Sequence, residues 1–185
     1  MVSKSQIRQD MLTKRICLDY DKRIRIEKAI QDHIVRSTIF LRAKTVALYM
    51  PIRGEADVLP LLIASEKKIV FPKVNDNMLI FCPAKSIDEC CPGCYGIPEP
   101  SSPPVRVDEI DLVVVPGVVF DHFGYRIGYG KGFYDRLIMK HPKMNTMGVC
   151  FDDFFVDRLP RDPWDVNVDS VVTQTGIFHS KREVK

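Results

Sequence analysis

The densest set of chemistry-bearing residues lies at 124–132, GYRIGYGKG, where Gly124, Gly128, Gly130 and Gly132 are interleaved with Arg126 and Lys131. Glycine adopts positive φ readily and leaves its backbone N–H open to close approach by a ligand. The helix predicted to begin near Phe133 adds the partly positive end of its dipole, and the two cations supply full charges in the same place. This combination suits a phosphate-bearing anion. It is neither of the common nucleotide loops: the Walker pattern needs Gly at Tyr125 and Ser or Thr at Gly132, and a G-x-G-x-x-G starting at Gly128 meets Phe133 where Gly is required. The non-functional reading is a flexible surface hairpin, which the position after a strongly apolar strand disfavours.

Other residues could serve such a site. Asp135 stands four residues after Lys131, one helical turn on, where a carboxylate can meet phosphates through Mg²⁺. Asp169, just before the last predicted strand, is a second candidate carboxylate. By residue type alone, either is more commonly a cap or a surface ion pair. Lys4 and Arg8 are spaced i, i+4 and so share one side of a helix, as a phosphate grip or as a solvated face. MPIRGEADV joins Met50 at a strand end to Glu55 in a turn, either one wall of a pocket or a plain hairpin tip. Cys90, Cys91 and Cys94 form the cluster CCPGC, but no second C-x-x-C and no nearby His completes a zinc set. A loop with reduced thiols is the expectation, with metal or redox chemistry as its alternative.

These residues need a scaffold. Ile7, Met11 and Leu18, then Ile26, Ile30, Ile34 and Leu41, recur with helical spacing, predicting two helices that break near residues 19–21. TVALYM at 45–50 predicts a buried strand, and ADVLPLLIASEKK a helix with Pro60 in its first turn. KIVFPKV and MLIFCPA predict a strand pair turning at residues 75–77. Residues 83–108, with six prolines, predict a long irregular connection with at most a short strand. IDLVVVPGVVF is the most continuous strand signal, followed by the glycine loop and by the helix FYDRLIMKH. MGVCF and SVVT predict a final strand pair. Alternating strands and helices predict an α/β fold with a largely parallel sheet covered on both faces, and a ligand crevice beyond the carboxyl ends of its strands.

With 185 residues, 45% of them hydrophobic, the chain suits one compact domain spanning 1–185, with basic helices at 1–44 and the Pro/Cys-rich connection at 83–108. No apolar stretch approaches the roughly 18–20 residues of a membrane span, and the first residues lack a signal-peptide core, so a cytoplasmic protein is expected. The net charge is +3, but residues 1–44 hold 11 Lys or Arg against 5 Asp or Glu. A nucleic-acid footprint is one reading of that excess, weakened by the lack of aromatic stacking residues or a zinc finger there.

LYMPIRGEADV, the turn GIPEP at 96–100 and above all DLVVVPGVVFDHFGYRIGYGKGFYDRLI resemble the 5-formyltetrahydrofolate cyclo-ligase family, also called 5,10-methenyltetrahydrofolate synthetases. The resemblance covers nearly the whole chain. It implies a three-layer α/β/α fold similar to sugar-phosphate isomerases and CoA transferases, and an ATP- and Mg²⁺-dependent cyclisation of 5-formyltetrahydrofolate that releases ADP and phosphate. It further implies ATP-binding roles for Lys4, Arg8, Arg126, Ile127, Gly128, Tyr129, Gly130, Lys131, Gly132, Phe133 and Tyr134. Folate contacts fall on Met50, Glu55 and residues 129–133, and magnesium on Asp135 and Asp169. Lys131 and Arg126 are the expected catalytic cations, Lys131 bridging the γ-phosphate and the formyl oxygen. Tyr129, Phe133 and Trp164 depart from the residues usual in the family, and Phe133 removes a hydroxyl. The expected partners are these two small molecules, with no nucleic acid or membrane, acting on a monomer or weak homodimer. An isomerase or CoA transferase on a related fold is the alternative and would not need a nucleotide.

Overall fold

The computed structural model describes residues 2–64 and 66–181. Its chain begins with three helices, α1 (Lys4–Ile16), α2 (Tyr20–Arg36) and α3 (Thr38–Arg42). The break between α1 and α2 spans residues 17–19, slightly earlier than the expected 19–21, because the Asp19 carboxylate caps the Lys22 N–H at 2.9 Å and starts α2 at Tyr20. Strands β1 (Thr45–Ala47), β2 (Lys68–Asn75) and β3 (Met78–Pro83) follow, then the small hairpin β4 (Cys90–Pro92) and β5 (Pro98–Pro100). Next come β6 (Leu112–Val115), β7 (Val119–Asp121), β8 (Arg126–Ile127), helix α4 (Phe133–Lys140), β9 (Asn145–Val149), β10 (Phe155–Val156), β11 (Ser170–Thr173) and β12 (Gly176–His179).

The main sheet runs β12-β11-β9-β6-β1-β2-β3 among the described residues, within a three-layer α/β arrangement. Its inner pairings are parallel, and only the edge strands β3 and β12 are antiparallel. Parallel strands are covered on both faces, which is why Leu112, Val113, Val114 and Val115 can all be apolar and fully buried. Ile30 and Ile34 of α2 enter the same core, and Leu137 of α4 joins it from a helix that packs on β3.

Four expectations change. The apolar run 110–120 is two strands in two sheets: β6 lies in the main sheet, while β7 joins β8 and β10 in a second one. Pro116 has no N–H for a ladder and interrupts the run there. Arg15, buried at the end of α1, takes up the carbonyls this break leaves, donating at 2.7 Å to both Gly117 and Val118. The helix expected over ADVLPLLIASEKK shrinks to one 3₁₀ turn, Leu59–Leu62. Tyr49 and Gln31 hold the Ala56 and Asp57 carbonyls in extended chain, and β2 already begins at Lys68. Finally, the predicted pair β9 and β11 is extended by β12, and the Pro/Cys-rich connection folds into the β4–β5 hairpin. No helix among the described residues is long and apolar enough to cross a membrane.

Candidate active site

A cavity of about 850 Å³ opens beyond the carboxyl ends of β1 and β6, where Tyr49, Met50 and Pro116 form its floor. The glycine loop and the start of α4 form one wall, and α1 brings Lys4 and Arg8 to the rim. The loop's shape is local chemistry. Gly130 and Gly132 have φ of 92° and 64°, a region costly to residues with a Cβ, and Gly132 directly precedes α4. Its carbonyl accepts the Arg136 N–H at 3.1 Å, so the first turn of α4 starts at the cavity edge with its free N–H groups there. Gly124 behaves differently: it closes the β7–β8 turn, its N–H on the Asp121 carbonyl at 2.9 Å, and does not line the cavity.

The cations are held in distinct ways. Arg126 is buried in β8, donating to the Val166 carbonyl at 3.0 Å and pairing with Asp135 at 3.3 Å. Burial lowers its pKa and Asp135 works against that, leaving a fixed guanidinium charge. Arg8 Nε donates to the Gly128 carbonyl at 2.6 Å, tying α1 to the loop. Lys4 bonds Asp162 at 2.7 Å and also Asp165; these partners outweigh the burial that opposes its charge, and its pKa is raised. Lys131 is exposed, makes no ion pair among the described residues, and stands 5.5 Å from the centre of the Tyr95 ring.

The opposite wall is mostly apolar, with Ile52, Pro72, Val74, Leu79 and Ile97 beside Met50. Glu55 is the exception. It is only 4% exposed, its Oε2 accepts the Ile52 N–H at 3.0 Å, and its Oε1 has no hydrogen-bond partner. Burial pushes its carboxyl up to about 7, offset only in part by the Ile52 N–H, Arg15 and the nearby Tyr129 hydroxyl. Burial likewise raises the Tyr129 and Tyr134 phenols, so both are neutral O–H groups.

The structure thus brings Lys4, Arg8, Met50, Glu55, residues 126–134 and Asp135 to one cavity. It does not bring Asp169 there. That residue precedes β11, at the amino ends of the parallel strands, and its Oδ2 accepts both the Thr146 N–H at 2.8 Å and the Thr146 hydroxyl at 2.7 Å. Sequence reasoning missed Arg15, although it continues the helical stripe of Lys4, Arg8 and Met11, and Arg136, whose guanidinium pins the Lys131 and Asn77 carbonyls at 2.9 Å. It also missed Tyr95, Glu99, Asp162 and Asp165, which no local pattern marks as cavity residues.

Comparison with known proteins gives a consistent picture. The solved 5,10-methenyltetrahydrofolate synthetase of Aquifex aeolicus superposes with a TM-score of 0.87 at 37% identity, covering 98% of this chain and 96% of that one. The synthetase structure from Mycoplasma pneumoniae gives 0.76 at 26% identity, covering 94% and 99%. The 5-formyltetrahydrofolate cyclo-ligase of Escherichia coli K12 is 30% identical over 147 residues, 74% of this chain and 81% of its own. The family model for 5-formyltetrahydrofolate cyclo-ligases matches residues 1–174, and the chain belongs to that family.

Proposed function

We propose that this cavity carries out the ATP-driven cyclisation of 5-formyltetrahydrofolate to 5,10-methenyltetrahydrofolate. The observation that carries it is the division of one cavity into a cationic glycine-lined end and an apolar end with a buried carboxylate oxygen seeking a donor. The formyl oxygen on N5 is a poor leaving group, so closure by N10 requires it to be made into a phosphate ester first. The formyl oxygen attacks the γ-phosphorus and ADP leaves; N10 then attacks the activated carbon and phosphate departs. Positioning and charge compensation dominate such a transfer. Backbone N–H groups at 128–132 seat the phosphates with Lys4 and Arg8, Arg126 supplies a buried charge, and Lys131 meets the transferring group and the formyl oxygen. Met50 lies against the pterin, and Glu55, when ionised, accepts its N–H donors.

Asp135 suits a magnesium ion. Its Oδ1 is shared by Arg126 and the Val166 N–H, its Oδ2 makes no hydrogen bond among the described residues, and it faces the cavity. Mg²⁺ keeps water and phosphate oxygens beside one or two carboxylates, and would supply charge neutralisation at the phosphates. Asp135→Asn is expected to raise the Mg²⁺ concentration giving half-maximal turnover about tenfold or more; an unchanged Mg²⁺ titration would remove Asp135 from the metal. Asp169, bonded to Thr146, is not carried into this proposal.

Glu55 provides a second prediction. Its folded pKa of about 7 exceeds its ordinary 4.5, so the folded protein binds the extra proton and stability is lost as pH rises through this window. Glu55→Gln is therefore expected to stabilise the ligand-free protein at pH 8 by up to about 3 kcal/mol, an advantage that fades by pH 4.5. Folate affinity of the native protein is expected to rise as pH passes 7, and the Gln variant to lose that rise. Denaturant melts and calorimetry at several pH values check both.

Kinship with sugar-phosphate isomerases and CoA transferases, a cytoplasmic location and a monomeric or weakly homodimeric state belong to the same proposal. The overall test mixes protein, ATP, Mg²⁺ and 5-formyltetrahydrofolate and follows the methenyl absorbance together with ADP. Product formed one-for-one with ADP is expected; no product would end the reading, and ATP-independent turnover would favour an isomerase-like enzyme.

A further inference from the structure

The six cysteines differ sharply in surroundings. Cys82 and Cys150 are buried, and burial pushes both thiols up; half-buried Cys90 is shifted the same way for the same cause. Cys17, Cys91 and Cys94 are exposed. Cys17 caps the end of α1, and Cys91 Sγ accepts from the Ser101 hydroxyl at 3.3 Å outside the cavity. Among the cysteines Cys94 alone lines the cavity.

Its position is fixed by the fold. The Cys94 N–H donates at 3.3 Å to Glu99 Oε1, and that buried oxygen also accepts the Val74 N–H of β2 at 3.2 Å. The next residue, Tyr95, is held at φ 60° with its ring beneath Lys131 Nζ. An exposed cysteine therefore stands on a tethered hairpin in the cavity wall, next to the tyrosine whose ring lies under Lys131 Nζ. The cavity is a ligand site on separate grounds, since Glu55 Oε1 is buried in its wall without a partner.

We propose that Cys94 is a modification site at which an anionic small-molecule disulfide of the glutathione type forms a mixed disulfide that blocks the folate end of the cavity. The Cys94 thiolate attacks one sulfur of the reagent, the reagent's S–S bond breaks, and its second half leaves as a thiolate that takes up the proton Cys94 lost. The reagent disulfide is the oxidant, and excess thiol reverses the step. The blocking effect rests on the functional reading above; the adduct does not.

The test incubates the full chain with oxidised glutathione and maps adducts by peptide mass. The adduct is expected on Cys94 ahead of Cys17 and Cys91, with loss of most turnover and of 5-formyltetrahydrofolate binding, both restored by reductant. With 5-formyltetrahydrofolate at about ten times its Kd, adduct formation is expected to slow about tenfold. Cys91→Ser keeps adduct and inhibition; Cys94→Ser, measured against its own untreated turnover, loses both. Preferential modification of Cys17 or Cys91, a Cys91–Cys94 disulfide in place of the adduct, or a Cys94 adduct that leaves folate binding unchanged would each overturn the proposal. Untreated protein that makes no methenyl product would end the functional reading separately, because adduct position and reversibility are read by mass.

Discussion

Lys131→Ala is expected to lower kcat by roughly 10²–10³ while leaving the melting temperature within a degree or two of the parent. The two halves of this expectation come from the same geometry. Lys131 is exposed, forms no ion pair among the described residues and contributes its side chain only to the stack over Tyr95, so little of the fold depends on it. Its backbone is held independently, through the carbonyl that accepts Arg136 at 2.9 Å, so truncating the side chain leaves the loop in place. What is lost is an exposed positive charge on the cavity wall, where the proposed mechanism has negative charge build as phosphate passes to the formyl oxygen. An interaction made chiefly in the transition state lowers kcat and kcat/KM together. Lys131→Arg is expected to recover part of the rate, since it restores charge but not the compact ammonium geometry. Steady-state kinetics with ATP and folate varied in turn check this. A large rise in the KM for ATP with kcat unchanged would reassign Lys131 to ground-state binding.

The contrast with Arg126 shows what sequence can and cannot convey. Both residues stand in one glycine-rich string, and residue type alone makes them equivalent cations. The fold separates them: Arg126 is built into β8 against Asp135 and Val166, whereas Lys131 is left projecting from the turn before α4. The sharing of one helix side by Lys4 and Arg8 was legible because helical periodicity is local. So was the strand, loop and helix order around the glycines. Asp169 was not, because its chemistry is decided by strand direction. It precedes a parallel strand, and the cavity lies at the other end of that sheet, so its carboxylate serves Thr146 on the neighbouring strand instead. The break at Pro116 was visible as a proline, but its consequence, a second sheet with Arg15 receiving the freed carbonyls, depends on an arginine 101 positions earlier in the chain. Tyr95 and Glu99 reach the cavity only because the β4–β5 hairpin folds back against β2, a long-range contact with no local signature.

Asp121→Ala is expected to destabilise the protein by about 3–4 kcal/mol and lower its melting temperature by about 10 °C, the largest stability effect argued from this structure. Asp121 ends β7, and its carboxylate is fully buried. Oδ1 accepts the Phe123 and Tyr125 N–H groups at 2.9 and 3.0 Å, which shapes the β7–β8 turn. Oδ2 accepts the Leu159 N–H at 3.0 Å and pairs with Arg161 at 3.3 Å, while the Arg161 guanidinium lies 3.9 Å from the Tyr125 ring centre and 4.7 Å from that of Phe123. Removing the carboxylate strands several donors at once, in a place water reaches poorly, which costs more than the bonds contribute while intact. The loss should extend to the site, because β7 sets the register of β8 through the Phe120 and Arg126 pairing, and β8 positions the Arg126 charge. Asp121→Ala is therefore expected to weaken ATP binding as well, at temperatures where it is still folded. Asp121→Asn keeps the shape but turns an acceptor oxygen into an amide donor, and should fall between the two, about 1–3 kcal/mol below the parent. Urea melts and ATP titrations on the two variants check the link. An alanine variant with parental stability would show that the turn is held by other bonds. One that is destabilised yet binds ATP normally would show that Arg126 is positioned by Asp135 and Val166 without help from the hairpin.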